Sequence, residues 1–239
     1  MRAIELKRNE SLTDAFGIPR GVTALVGGGG KTTLMLRLAK ELAGKGNRVI
    51  VTTTTHIFPP DGMTTLTHAD VEAVRRALER ESPVCVGTPA KEGKLSAPAL
   101  MIGELALLAD YVLAEADGAK KHPLKAPAAH EPVIPAQTAL VIAVAGMDGI
   151  GKPIAEAAFR PALYAALLGT DEAHAVTPAD AARVLTHPSG QRKSVTGGMR
   201  FAVLLNKADD AARRRMAQEA AAAIEQETAE RVVIAALNG

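Results

Sequence analysis

Tryptophan is absent from this chain of 239 residues, and aromatic residues of all kinds make up only 3% of it. Apolar residues still reach 47%, so the sequence supports a sizeable core built from Ala, Val, Leu and Ile. Cysteine occurs once, at Cys85, which excludes an intrachain disulfide and a Cys-rich zinc site. That usage suits a reducing compartment. Cys85 stands in the apolar run Pro83-Val84-Cys85-Val86-Gly87, which predicts a buried core thiol rather than a reactive one. No stretch approaches the roughly 18 apolar residues of a membrane span. The opening MRAIELKRNE has no apolar signal segment, so the expected location is the cytoplasm, with no membrane partner. Strong charge is missing too: the net charge is +2 and the longest basic run, Arg213-Arg214-Arg215, sits in a helical pattern as a solvated face. A dedicated nucleic-acid binder is therefore not expected.

The sequence does contain a regular alternation of apolar runs with helical periodicities. Strands are predicted at 22–26, 48–52, 84–87, 111–114, 140–145, 201–205 and 231–235, with a small hairpin joining 84–87 to 94–96 across Gly93. Helices are predicted at 32–43, 69–80, 100–109, 157–168, 178–185 and 208–229. In the first of these, Leu34, Leu38 and Leu42 recur at i, i+4 and i+8, the spacing of one helix face. This pattern predicts an α/β fold with a mainly parallel sheet flanked by helices, forming one domain over 1–239. The segment 118–135 breaks the pattern. It places Pro123, Pro127, Pro132 and Pro135 among basic residues, and a loop of that length is usually functional or mobile.

The first motif lies between a predicted strand and a predicted helix: Gly27-Gly28-Gly29-Gly30-Lys31-Thr32-Thr33. Glycines let the backbone curl so that its N–H groups face an anion, and the helix start adds its positive end. In a phosphate loop of this kind Lys31 reaches the β- and γ-phosphates, the Thr32 hydroxyl ligates Mg²⁺, and Thr33 bonds the α-phosphate. The usual pattern G-x-x-x-x-G-K-[ST] would need glycine where this sequence has Leu25, which predicts a tighter loop or a different angle of entry.

Three motifs follow. Glu115-Ala116-Asp117-Gly118 closes the strand 111–114, placing two carboxylates where open α/β sheets bind ligands. Glu115 and Asp117 are the candidates for holding Mg²⁺ or its water, and Gly118 for sensing the γ-phosphate through its N–H. Thr52-Thr53-Thr54-Thr55-His56 closes the second strand, either as plain strand propensity or as hydroxyls for Mg²⁺, water or phosphate. Asn206-Lys207-Ala208-Asp209 matches the N-K-x-D guanine-recognition pattern. There Asp209 accepts two hydrogen bonds from the guanine edge, the Lys207 stem lies along the base, and Asn206 braces neighbouring loops. The stretch Ala235-Ala236-Leu237 sits where a backbone contact to the guanine oxygen is expected. GTP is thus favoured over ATP.

With these motifs the chain resembles the YqeC family, whose members are accessory proteins for selenium-dependent molybdenum hydroxylases. The resemblance rests on 27–33, on Thr52-Thr53-Thr54-Thr55-His56, and on the long block from Glu115-Ala116-Asp117-Gly118-Ala119-Lys120 through Pro123-Leu124-Lys125-Ala126-Pro127 to His130-Glu131-Pro132-Val133-Ile134-Pro135. The resemblance implies a role in maturing a molybdenum hydroxylase or its cofactor, with the hydroxylase or a cofactor-biosynthesis protein as partner. The architecture is also similar to metallochaperone-type GTPases that load nickel, which likewise use Glu-x-x-Gly. Lys120, Lys121, Lys125 and His130 are then expected to form a positive cluster near Glu115 and Asp117 that takes a second, anionic ligand such as a molybdopterin-type cofactor. Two other readings stay open: a non-catalytic cofactor carrier with nucleotide as a structural ligand, and a small-molecule kinase or nucleotidyl transferase.

Overall fold

The computed structural model describes residues 3–7 and 10–237. Its strands are β1 (Ile4–Glu5), β2 (Gly21–Gly27), β3 (Val49–Thr53), β4 (His56–Ile57), β5 (Thr65–Thr67), β6 (Val84–Pro89), β7 (Leu95–Ser96), β8 (Tyr111–Glu115), β9 (Leu124–Lys125), β10 (Thr138–Gly146), β11 (Ala158–Phe159), β12 (Arg200–Asn206) and β13 (Arg231–Ile234). Its helices are α1 (Leu12–Phe16), α2 (Lys31–Gly44), α3 (Val71–Arg80), α4 (Ile102–Leu108), α5 (Ile154–Ala157), α6 (Pro161–Leu168), α7 (Pro178–Thr186) and α8 (Ala211–Glu227).

Eleven strands form one sheet in the order β1-β13-β12-β10-β2-β8-β3-β6-β7-β4, with β5 also on β6. Every pairing from β1 to β6 is parallel, and only β7 runs antiparallel, against β6 and β4. The mainly parallel α/β expectation is met, including the small hairpin beyond β6. Central strands buried on both faces read as continuous apolar runs, as in 140–145. Alternate residues serve opposite faces. Leu25, Leu113 and Val51 pack with Leu34 and Leu38 of α2 and with Phe16 of α1. Ala24, Val26, Ala143 and Val203 pack with Ala181, Ala217 and Ile224 of α7 and α8, and Val22, Ile50 and Val112 with Val74 and Leu105 of α3 and α4.

Strand order places the candidate site. The chain leaves β2 through α2 to β3, fills outward to β6, and returns as β8 between β2 and β3. It then passes to β10, on the other side of β2. Residues 116–137 therefore cross the carboxyl end of β2, the switch point of the sheet and the place where such sheets leave a crevice.

Two expectations need correction. The helix predicted over 157–168 is broken into α5, the two residues of β11 and α6. Pro161 opens α6, and proline disfavours helical backbone in the residue before it. Arg160 accordingly takes a left-handed conformation, with φ of 66°. The segment 118–135 is no free loop either. Ala119, Leu124, Lys125, Ala126, Pro127, Glu131 and Pro132 are buried, and β9 pairs in parallel with β11. Cys85 is buried as expected, and burial pushes its thiol up to about 11.

Candidate functional site

Strand β2 runs on through Leu25 and Val26 to Gly27, in register with β8 on one side and β10 on the other. Leu25 is a fully buried strand residue, so the turn proper shrinks to Gly28, Gly29 and Gly30 before α2 begins at Lys31. This is the tighter loop that Leu25 implied. Its glycines are required by crowding as much as by curvature. Gly29 has φ of 74°, and a Cβ there would collide with the backbone of Gly146. Gly30 has φ of 126°, and a Cβ would strike the Asn206 amide.

The loop's N–H groups divide into two sets. Gly28 N donates to Val144 O at 2.9 Å and Gly29 N to His122 O at 3.0 Å. Gly27 N donates to Asp117 Oδ2 at 3.0 Å. Those three are therefore spent within the protein, contrary to the expectation that the whole glycine run faces an anion. The N–H groups of Gly30, Lys31, Thr32 and Thr33 open the first turn of α2, which has no side-chain cap. Such groups, with the positive end of the helix dipole, suit an anion.

Lys31 is buried, and its Nζ donates to Gly27 O at 2.6 Å. The same ammonium lies 3.1 Å from Asp117 Oδ1 and 3.8 Å from Glu115 Oε1. The Asp117 Oδ1 contact is an ion pair without hydrogen-bond alignment. Burial works to lower the Lys31 pKa, but the charges of Asp117 and Glu115 outweigh it and hold the group above its ordinary value. Burial raises Glu115 above the usual carboxylate range, against the pull of Lys31 and a hydrogen bond from Thr32. That bond, Thr32 Oγ1 to Glu115 Oε2, is 2.8 Å long, and Thr32 is exposed. Lys31, Thr32, Glu115 and Asp117 are thus brought together as the sequence suggested. Asp117, however, is fully buried. The sequence placed both acids at a strand end facing a ligand, and Asp117 lies instead in the core.

The basic cluster expected in 118–135 comes apart. Lys125 is buried, with Nζ 2.9 Å from Asp117 Oδ2, 2.8 Å from Glu131 Oε2 and 2.6 Å from Gly118 O. Arg160 pairs with the same Glu131 oxygen. Lys125 is therefore neutralised inside the fold and is not free for an outside anion. Two apolar neighbours, Leu124 and Ala126, were the signal for its burial. Lys120, Lys121 and His130 are exposed, with Lys120 5.6 Å from the Phe159 ring. Sequence reasoning missed Glu131 and Arg160 as site residues. The four threonines are mostly spent on carbonyls: Thr52 on Val86, Thr53 on Glu115 and Thr54 on Val133. His56 is exposed.

The other end of the site is built by β12 and β13. Asn206 is fully buried. Its amide donates to Gly29 O at 2.8 Å, and its Oδ1 accepts from Leu237 N at 3.1 Å. It ties the glycine turn to the 235–237 segment, the bracing expected of it. Lys207, with φ of 61°, pairs with Asp148 Oδ2 at 2.8 Å. Asp148 was not foreseen as a neighbour of the site. Asp209 is exposed, 3.1 Å from Arg213, on the wall of a cavity of about 600 Å³. Ala208, Arg37 and residues 235–237 also line it.

Two comparisons bear on identity. Residues 23–162 match the family described as YqeC protein, a span that includes the glycine turn, Glu115, Asp117, Lys125, Glu131 and Arg160. The chain is also 33% identical over 193 residues to a protein of Escherichia coli (strain K12) named "Uncharacterized protein YqeC". That alignment covers 78% of this chain and 75% of the other. None of the described helices is long and apolar enough to cross a membrane. On the family match and this identity, the chain belongs to the YqeC family.

Proposed function

We propose that this protein is a magnesium-dependent NTPase, with GTP preferred, acting as an accessory factor in the maturation of a molybdenum hydroxylase or its cofactor. The observation that carries the nucleotide reading is the head of α2. Four N–H groups without a helix partner stand there beside Lys31, Thr32 and Glu115. A triphosphate seated on them would draw Lys31 from its carboxylates to the β- and γ-phosphate oxygens. Thr32 and Glu115 offer adjacent oxygens, the donor type that Mg²⁺ favours, and would hold that ion. Magnesium supplies charge neutralisation on the phosphates. Asp117 backs the pair by orienting Lys31 and fixing Gly27 N.

The cavity beside Asp209 supports guanine. A carboxylate accepts hydrogen bonds from N1–H and the N2 amine, which adenine does not present, and such a site rejects the unpaired analogue strongly. The exposed Asp209–Arg213 pair is worth little, so the base displaces it readily. The maturation role rests on the YqeC resemblance, and the second ligand is placed against the exposed side of 118–135, at Lys120, Lys121 and His130.

Phosphate release from GTP and ATP by the purified protein tests this reading. GTP turnover is expected to exceed ATP turnover, and Glu115→Gln to lower it about 10–100-fold, as for groups that hold or orient a metal. Undiminished turnover by Glu115→Gln would place the reaction elsewhere.

A further inference from the structure

Beyond the nucleotide itself, a continuous line of alternating charges leaves the head of α2. Lys31 meets Asp117 Oδ1, Asp117 Oδ2 meets Lys125, Lys125 meets Glu131 Oε2, and the same Glu131 oxygen meets Arg160. Asp117 and Lys125 are wholly shielded from water along this line. Glu131 is nearly so, and only Arg160 reaches the surface, at about a quarter of its side-chain area exposed, 24%. Each interior member is shared between two partners of opposite sign.

We propose that this line is a relay, resting on the nucleotide reading of the site, through which occupancy of the phosphate position is transmitted to Arg160 and the start of α6. The argument is one of compensation. A buried charge that loses its partner is costly unless another replaces it. When Lys31 turns to phosphate, Asp117 loses its nearest cation on Oδ1. Lys125 is the other cation on Asp117. Lys125 therefore moves its weight from Glu131 to Asp117, and Glu131 is left to Arg160. Lys125 is the positioning residue of the device, since it acts on the phosphate site only through Asp117.

The far end is built to register the shift. Arg160 caps α6 in a left-handed conformation, and its carbonyl accepts from Leu163 N and Tyr164 N. Its guanidinium lies 4.7 Å from the centre of the Phe159 ring, which His122 also faces at 6.0 Å. His122 closes a loop back to the site, because its carbonyl accepts from Gly29 N. Lys120 and Lys121, just before it, both have positive φ, of 45° and 66°. Non-glycine residues persist in that region only where their surroundings hold them there.

The relay predicts opposite signs for two substitutions that touch no phosphate. Arg160→Ala leaves Glu131 with Lys125 alone, draws Lys125 from Asp117 and so tightens Asp117 on Lys31. Triphosphate affinity is expected to fall about fivefold or more, the lower range of coupling between sites. Glu131→Gln frees Lys125 for Asp117, releases Lys31 and is expected to raise triphosphate affinity by a similar factor. Guanosine affinity stays unchanged in both. Binding of GTP and guanosine to the full-length variants by calorimetry reads this directly. Effects of the same sign, or no effect on GTP, overturn the relay while wild-type GTP binding keeps the nucleotide reading. Absence of GTP binding by the wild type overturns both. A readout independent of the variants is amide exchange in the wild type. GTP, but not guanosine, is expected to slow exchange at Leu163 and Tyr164 as Glu131 fixes Arg160, and unchanged exchange there would count against the relay.

Discussion

The two ends of the candidate site are built on opposite plans. At the end proposed for the phosphates, Lys31, Glu115, Asp117, Lys125 and Glu131 are packed out of water and pair with one another. At the end proposed for the base, Asp209 is exposed on the wall of a cavity of about 600 Å³ and pairs with Arg213 on the surface. The first must break ion pairs to accept a ligand, whereas the second has room already. On the proposed function, binding of the nucleotide would start with the base and finish with the phosphates. Asn206 joins the two, with one amide atom on Gly29 and the other on Leu237.

The sharpest way to break the contrast is to remove Asp117. Asp117→Ala removes the nearer carboxylate from Lys31 and one of the two from Lys125, and loss of one partner in a buried ion pair costs about 3–5 kcal/mol. Urea unfolding is expected to show a loss of that size, while Asp209→Ala leaves the midpoint nearly unmoved. Equal sensitivity at both positions would mean that the two ends do not differ as described. Lys125→Ala belongs with Asp117→Ala in size, for the same reason, and Lys120→Ala with Asp209→Ala.

Asn206→Ala comes next. It removes the acceptor of the buried Leu237 N–H and the donor to Gly29 O. Leaving a buried polar group unpaired costs about 1–3 kcal/mol. Because Asn206 belongs to both ends, GTP and guanosine affinity should fall together. A loss confined to GTP would show that it serves only the glycine turn.

A pH titration of stability separates the ends without a ligand. Burial works to raise the Glu131 pKa, but hydrogen bonds from Arg160 and Lys125, with their charges, outweigh it and hold the group down to about 2. A carboxylate depressed in the folded state binds fewer protons there than in the unfolded chain. Its contribution is therefore complete above the ordinary value of 4.5 and is lost as pH falls from there toward about 2. Wild type should lose stability across that window by more than Glu131→Gln does. Parallel curves would remove Glu131 from the account.

The smallest effect on stability, and the clearest on specificity, is expected from Asp209→Asn. The amide replaces one acceptor with a donor, which suits xanthine rather than guanine. GTP affinity should fall and xanthosine triphosphate affinity rise, with unfolding unchanged. If GTP and ATP bind alike before and after the change, Asp209 is a helix-start acid.

The glycine turn and the succession of the longer strands and helices along the chain were legible because periodicity and punctuation carry local backbone choices. Strands of two residues such as β1, β9 and β11 were not, since they hold too few residues to show alternation. The break before α6 left a readable sign in Pro161, which helical periodicity in 157–168 overrode. The misreading of Lys125 has a different cause. A lysine's burial depends on its partners, and those are Asp117, two residues past β8, and Glu131, six residues on, which is held in turn by Arg160 at the cap of α6. No local pattern records a meeting of that kind. Glu115 and Asp117 were legible as a pair at a strand end, yet their unequal depth was not, because it follows from residues 116–137 crossing above β2.

The most direct test is calorimetric titration of the wild type and Lys31→Ala with GTP, guanosine and magnesium. In the proposed function Lys31 meets the phosphates, and the cavity at Asp209 is lined by other residues. The account predicts that wild type binds GTP more tightly than guanosine, and that Lys31→Ala abolishes this advantage while guanosine binds as before. GTP affinity that is unchanged in Lys31→Ala, in a protein that remains folded, would contradict the phosphate site at the head of α2.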